Sequence, residues 1–122
     1  MSKTVLITDD QFGIRRLLTE VIESRGINVL QASDGLEALE KLKNNAVDLM
    51  LLDMKMPNMD GLDTLKALKE RNIDVDVIFM TAYGEEKLTV DAKGLGSNSH
   101  IFKPFDLEDV IEIVENHLFN KK

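Results

Sequence analysis

Residues 49–61 read LMLLDMKMPNMDG. Four consecutive apolar side chains, Leu49 to Leu52, are followed by an acid, Asp53, and then by a loop that ends at Asp60-Gly61. A strand that is apolar on both faces is typical of a parallel sheet covered by helices on its two sides. Asp53 would then stand at the carboxyl end of a buried strand, which is where α/β proteins place their ligand sites.

The rest of the chain alternates short apolar runs with helical patterns. The predicted strands lie at residues 5–7, 27–30, 47–52, 75–80 and 101–102. Apolar side chains recur at intervals of three and four residues in helices at 14–22, 35–42, 62–68 and 107–118, and a weaker helical pattern covers 84–95. Five strands that alternate with five helices predict a doubly wound α/β fold with a parallel sheet.

The composition excludes several classes of function. The chain has 122 residues, which suits one domain, and 43% of them are hydrophobic. The net charge of −7 would repel nucleic acid phosphates, so we expect no nucleic acid partner. Cysteine is absent, which excludes disulfides and thiolate metal sites. The longest apolar runs are too short to span a bilayer, and we expect a soluble, cytoplasmic monomer with a single domain over residues 1–122.

Polar side chains follow four of the predicted strands, at the point where each strand ends. Asp9 and Asp10 follow the first strand, Asp53 the third, Thr81 the fourth and Lys103 the fifth. The carboxyl ends of parallel strands meet at one edge of the sheet, so the three carboxylates converge if the first and third strands are neighbours. Two unit charges about 4 Å apart repel by about 4 kcal/mol at an effective dielectric constant near 20. A hard cation such as Mg²⁺ relieves this repulsion, and a lysine ammonium can pair with a phosphate.

Each of these residues also has an ordinary structural explanation. Asp9 or Asp10 alone is more often a helix N-cap, Asp53 alone fits a turn at a strand end, and Lys103 alone is more often a surface lysine. The functional hypothesis depends on the combination, because an acid pair, an acid, a hydroxyl and a lysine each end a different strand of one sheet.

The set Asp9-Asp10, Asp53, Thr81 and Lys103-Pro104 resembles the receiver domain of two-component response regulators, in order and spacing, over essentially the whole chain. The resemblance implies a flavodoxin-like (βα)5 fold with a five-stranded parallel sheet of strand order 2-1-3-4-5 and no output domain. It also implies Mg²⁺-dependent transfer of a phosphoryl group from a phosphohistidine to an aspartate, with Mn²⁺ or Ca²⁺ as substitutes for Mg²⁺.

The resemblance implies a role for each residue of the site. Asp53 would accept the phosphoryl group, and Thr81 and Lys103 would contact it. The implied metal ligands are Asp9 (mostly through water), Asp10, Asp53 and the backbone carbonyl of Lys55. The Lys103-Pro104 peptide bond is expected to be cis.

Four longer stretches resemble one branch of this family, the single-domain regulators of the bacterial sporulation phosphorelay. They are residues 9–15 (DDQFGIR), 51–57 (LLDMKMP), 80–85 (MTAYGE) and 103–106 (KPFD). Such a regulator would take its phosphoryl group from a sensor histidine kinase and pass it to a histidine phosphotransferase. It would control the initiation of sporulation, and a phosphatase would be a further partner. It would be a phosphotransferase in this relay sense only, and not a multiple-turnover enzyme for small molecules.

His100 matches a histidine of those regulators. A lone histidine in a short strand is more often a structural residue than a functional one. The functional alternative is that His100 modulates the site without being a ligand.

We expect the docking surface for a histidine-bearing helical partner to surround the mouth of the site. Ile14 and Leu17 widen the apolar stripe of the first helix beyond what one core face needs, although they would equally fit under loops. The other residues of this expected surface are Gln11, Gly13, Tyr83, Pro104 and Phe105.

Two other functions fit parts of the pattern. A chemotaxis-type single-domain regulator, whose phosphorylated face binds a target protein, would share every residue of the site and differ only at the partner surface. A Mg²⁺-dependent hydrolase of the haloacid dehalogenase class also uses an aspartate nucleophile. That class carries a second aspartate two residues later, where this chain has Lys55, so the hydrolase is disfavoured.

The same patterns predict how several side chains pack. Leu36, Leu39 and Leu42 should share the buried face of the second helix. His117 should lie on the surface. The methionines that flank the acids should pack in the core; they are Met54, Met56, Met59 and Met80.

Overall fold

The computed structural model describes residues 2–82 and 99–119 of the chain. Its elements are β1 Thr4–Thr8, α1 Phe12–Glu23, β2 Asn28–Ala32, α2 Gly35–Asn44, β3 Leu49–Asp53, α3 Gly61–Glu70, β4 Asp76–Thr81, β5 Ser99–Phe102 and α4 Leu107–Phe119. The helix predicted at 84–95 lies outside the described residues. The five strands form one parallel sheet in the order β2-β1-β3-β4-β5, which confirms the predicted topology.

β3 lies in the middle of the sheet, and all five of its residues are buried. Leu49 and Leu51 face a core formed with α1 and α4, whereas Met50 and Leu52 face a second core formed with α2 and α3. Because successive side chains of a strand point to opposite faces, a strand between two cores must be apolar at every position. This explains the continuous apolar run from Leu49 to Leu52.

Two of the helices begin at aspartates that act as caps. Asp34 accepts a hydrogen bond from the backbone N–H of Glu37, and Asp60 accepts one from Asp63, each over 2.8 Å. At α1, by contrast, the N-cap position belongs to Gln11, which makes no capping hydrogen bond with its side chain. The acid pair before α1 is therefore not explained by helix capping.

The predicted packing of α2 is wrong at one position. Leu36 is 54% exposed, whereas Leu39 is buried and Leu42 packs against the same core. Gly35, not Leu36, lies on the buried face, together with Ala38 and Leu39. Gly35, Ala38, Leu39 and Leu42 repeat at three- and four-residue spacing and form the centre of the buried face. Leu36 is three residues before Leu39, but it lies at the margin of that face and is left exposed.

The prediction for His117 is also wrong. Its side chain is only 16% exposed, because Nε2 lies 2.7 Å from Oδ2 of Asp76 at the start of β4. The methionine prediction is confirmed: Met54 and Met80 are buried, and Met56 and Met59 pack against the core. No helix within residues 2–82 and 99–119 is long and apolar enough to cross a membrane.

Candidate functional site

The acids that follow β1 and β3 converge at the carboxyl edge of the sheet, as predicted. β1 and β3 are neighbours, with Thr8 opposite Leu52. Carboxylate oxygens of Asp9, Asp10 and Asp53 lie within 4.8 Å of one another. Asp9 is fully buried and Asp53 nearly so, while Asp10 is exposed. Oxygen ligands of this kind suit Mg²⁺, so the residues present fit the cation that the resemblance implies.

Lys103 bridges the two buried acids. Its Nζ donates to Oδ2 of Asp9 over 2.9 Å and to Oδ1 of Asp53 over 3.2 Å. Burial lowers the pKa of Lys103, but hydrogen bonds and charge from Asp9 and Asp53 outweigh burial and raise that pKa above its usual value. One ammonium cannot balance three ionised carboxylates, so the cluster keeps an excess of negative charge.

Asp53 shows the effect of this excess. Burial, followed by the charge of Asp9, raises the pKa of Asp53 to about 6, although the charge and hydrogen bond of Lys103 act in the opposite direction. The metal-free fold therefore disfavours the ionised form of Asp53. A divalent cation at the cluster would favour that form, which is a second reason to regard the residues as a cation site.

Asp9 is oriented by several hydrogen bonds. Its Oδ1 accepts from the backbone N–H of Gln11 over 2.9 Å, while Lys103 occupies the other oxygen. The backbone carbonyl of Asp9 accepts from Nη1 of Arg15 over 2.8 Å. Sequence reasoning missed Arg15. Its signal was a basic residue early in α1, where the helix dipole disfavours positive charge and some other interaction must compensate.

Thr81 ends β4 at the same edge and is 1% exposed. Within the described part of the chain, its Oγ1 has no hydrogen-bond partner. A buried hydroxyl without a partner costs about 1–3 kcal/mol, so this hydroxyl would gain from a ligand oxygen at this edge of the sheet. The Lys103-Pro104 peptide bond that follows β5 is cis, as expected.

Lys55 directly follows Met54, whose backbone N–H and carbonyl both make hydrogen bonds. Met54 donates its N–H to the carbonyl of Met80 over 3.1 Å, and its own carbonyl accepts from Gly61 over 2.9 Å. Lys55 itself is exposed in the loop next to Asp53. The chain thus brings the predicted carbonyl ligand to the same edge as the acids.

His100 lies in β5 outside the acid cluster. Its ring stacks on those of Phe79 and Phe102, with centroid distances of 6.0 and 6.5 Å. It also lines a cleft of about 440 Å³ together with Pro104 and Phe105. This packing supports the structural alternative for His100, and a modulatory role stays a prediction.

The residues expected at the partner surface are accessible where they are described. Gln11, Gly13 and Pro104 are exposed, and Leu17 is 41% exposed. Ile14 and Phe105 are half-buried and pack against the core beneath them. The remaining member, Tyr83, lies outside the described residues.

Comparison with protein families gives one match that spans most of the chain: residues 5–115 match the response regulator receiver domain. The chain belongs to this family. It is 44% identical over 118 residues to sporulation initiation phosphotransferase F of Bacillus subtilis, which covers 97% of this chain and 95% of that protein. It is 32% identical over 119 residues to chemotaxis protein CheY of the same organism, which covers 97% and 99%.

A solved structure supports the same assignment to the receiver family. The receiver domain of the Francisella response regulator 1452 superposes with a TM-score of 0.90 at 30% identity, over 99% of this chain and 100% of that domain. The flavodoxin-like receiver fold is thereby confirmed.

Proposed function

We propose that this receiver domain accepts a phosphoryl group on Asp53 and passes it to a histidine of another protein, as an intermediate of a phosphorelay. One observation carries the proposal: the Asp53 carboxylate lies within 4.8 Å of the Asp9 and Asp10 carboxylates and 3.2 Å from the Lys103 ammonium, at the carboxyl edge of the sheet. In the first step an oxygen of Asp53 forms the new bond to phosphorus while the phosphorus–nitrogen bond of a phosphohistidine breaks. The electron pair stays on the imidazole nitrogen, which takes up a proton from solvent.

The residues around Asp53 divide the electrostatic task. Mg²⁺, held by Asp9, Asp10, Asp53 and the Lys55 carbonyl, would supply positive charge to the phosphoryl oxygens. Lys103, which donates to Asp53 and Asp9 before the reaction, would turn its ammonium to a phosphoryl oxygen afterwards. Thr81 offers its buried hydroxyl as a donor to another of these oxygens. Catalysis by such a site is mainly positioning and charge stabilisation.

The ionisation of Asp53 agrees with this role. Only the ionised carboxylate is a good nucleophile. A pKa of about 6 leaves most of Asp53 ionised near neutral pH even without a cation. The same raised pKa means that a bound cation would increase the ionised fraction further.

Two observations favour a relay over a chemotaxis-type regulator. The relative at 44% identity is named for phosphotransfer in sporulation initiation, and it is matched over nearly its whole length. On α1, which follows the acid pair, Leu17 is exposed and Ile14 is half-buried, and Gly13 leaves open space beside them. A small apolar centre with a polar rim suits docking of a helical partner. On this proposal the chain is a cytoplasmic monomer in sporulation control, and its partners are a sensor histidine kinase, a histidine phosphotransferase and a phosphatase.

The proposal is tested by comparing two phosphoryl donors. Ile14→Ala should slow transfer from a phosphohistidine protein of the same genome by about tenfold, because interface centres carry most of the affinity. Phosphorylation by acetyl phosphate should stay near normal, since that small donor needs only the site itself. Val21→Ala is the matched control, because Val21 is a half-buried residue of the same helix farther from the mouth. Equal losses with both donors at matched folded fraction would exclude a relay interface on α1.

A further inference from the structure

The loop between β3 and α3, residues 54–60, carries the Lys55 carbonyl and is held close to Asp53 at both of its ends. The N–H of Met54 donates a hydrogen bond to the carbonyl of Met80 in β4, and the carbonyl of Met54 accepts one from the N–H of Gly61. Further along, Pro57 has a fixed φ and restricts Met56 to extended backbone. Lys55 therefore lies between Met54, which is fixed by two backbone hydrogen bonds, and the stiff Met56-Pro57 pair. The direction of the Lys55 carbonyl then depends on where the rest of the loop, from residue 58 onward, is held.

Asn58 holds that part of the loop. Its φ is 67°, in the left-handed region that few residues other than glycine adopt. Its Nδ2 donates to Oδ2 of Asp34 over 2.9 Å, while Oδ1 of Asp34 caps α2 by accepting from Glu37. The two oxygens of one carboxylate thus join the first turn of α2 to the loop. Hydrogen bonds from the Glu37 backbone and then from the Asn58 amide lower the pKa of Asp34, so the contact to Asn58 is charge-assisted.

Gly35 allows α2 to approach the loop without a side chain between them. A Cβ at this position would overlap Oγ1 of Thr64 and would lie within 2.9 Å of the Met59 carbonyl oxygen. The first turn of α2 therefore rests directly on the loop and on α3. The contact between Asp34 and Asn58 is thus supported by close packing on both sides.

We propose that the hydrogen bond between Asp34 and Asn58 positions the metal site, because it holds the loop so that the Lys55 carbonyl keeps its place beside Asp53. Neither residue belongs to the acid cluster, so both act through the loop. The inference rests on the proposed function, since the Lys55 carbonyl matters in this way only if the site binds a divalent cation. Loss of the hydrogen bond should weaken cation binding and leave Asp53 reactive once cation is saturating.

Two substitutions remove the hydrogen bond with little other change. Asn58→Gly keeps the left-handed backbone and deletes the amide. Asp34→Ser keeps an N-cap oxygen and deletes the second oxygen. Each should weaken Mn²⁺ binding by about fivefold, which is the usual effect of one hydrogen bond, and the double variant should be no weaker than either single one. The probe is Mn²⁺ alone, followed by the electron paramagnetic resonance signal of the free ion.

Two further measurements separate positioning from general damage. Asp34→Asn should keep nearly parental Mn²⁺ affinity. The oxygen of the new amide can cap α2, while its NH₂ donates to the oxygen of a rotated Asn58 amide. The rate of phosphorylation by acetyl phosphate at saturating Mg²⁺ should be near parental in Asn58→Gly. Asn72→Gly is the matched control, since Asn72 is also left-handed, with φ 55°, and lies just past α3.

The outcomes distinguish the two proposals. Parental affinity in Asn58→Gly, or an equal loss in Asn72→Gly, would overturn the positioning role while the cation site stands. A parent protein whose Mn²⁺ binding is unaffected by Asp10→Ala would overturn the cation site itself. We expect Asn58→Gly to lose Mn²⁺ affinity and Asn72→Gly to keep it. We also expect Asn58→Gly to be phosphorylated by acetyl phosphate at a normal rate when Mg²⁺ is saturating.

Discussion

The two edges of the sheet arrange their acids in opposite ways. At the amino edge, Asp48 accepts a hydrogen bond from the backbone N–H of Thr4 over 2.8 Å, and Asp76 lies 2.7 Å from Nε2 of His117. Each of these acids has a partner of its own. At the carboxyl edge, Asp9 and Asp53 share one ammonium with exposed Asp10 close by.

The difference between the edges separates structural acids from functional ones. An acid with its own hydrogen-bond donor contributes to folding, and the sheet needs nothing more at that edge. Clustered acids with too little positive charge reduce stability, which is a feature of sites that are shaped for a ligand. The contrast predicts that equivalent substitutions at the two edges will have different effects on stability and on phosphorylation.

The largest expected effect is on phosphorylation. Asp53→Asn should reduce labelling by acetyl phosphate by at least about 1,000-fold, because an amide is not a useful nucleophile. Asp76→Asn, the same change at the amino edge, should label normally. Mass spectrometry should find one phosphoryl group in the parent, labile in alkali. Full modification of Asp53→Asn at another residue would show that the acceptor has been misassigned.

Removal of the shared ammonium should have the largest effect on stability. Lys103→Ala leaves Asp9 and Asp53 without their bridging charge, which we expect to cost about 3 kcal/mol of unfolding free energy in chelator at pH 8. Mg²⁺ should still bind and should recover most of this loss, whereas phosphorylation should stay defective. Urea unfolding with and without Mg²⁺ measures the difference. The same loss under both conditions would mean that Lys103 acts through packing and not through charge.

Removal of a clustered acid should have the opposite sign. Because the pKa of Asp53 is raised to about 6, the folded protein binds this proton more tightly than the unfolded chain. The stability that protonated Asp53 contributes is therefore complete below about pH 4 and is lost as the pH rises through about 6. In chelator at pH 8, Asp53→Asn should be more stable than the parent by about 2 kcal/mol, and the gap should close at low pH. Thermal melts across pH 4–8 give the answer, and a pH-independent gap would contradict it.

The smallest effect is expected at the amino edge. His117→Ala should lower the unfolding free energy by about 1 kcal/mol, because it removes one hydrogen bond to a charged, half-buried acid. The loss should be the same with chelator and with Mg²⁺, and phosphorylation should be unchanged. If unfolding of this variant responded to Mg²⁺ differently from the parent, the two edges would be coupled and the contrast between them would weaken.

Much of the site could be predicted because its residues lie at strand ends. Asp53 follows a strand that is apolar on both faces, and Asp9 follows the first strand. Both positions can be derived from local patterns once the sheet is known to be parallel. The resemblance to receiver domains supplied the role of each residue. Arg15 was missed because its partner, the carbonyl of Asp9, depends on the path of the chain between β1 and α1.

The sequence by itself determined the alternation of strands and helices and most of the apolar positions, because these depend on neighbours within a few residues. Only the tertiary structure decided which remote groups meet. Lys103 reaches Asp9 across 94 positions, and His117 reaches Asp76 across 41. Such pairs, and the raised pKa of Asp53 that follows from burial beside Asp9, depend on strand order, register and loop path, which no local periodicity encodes.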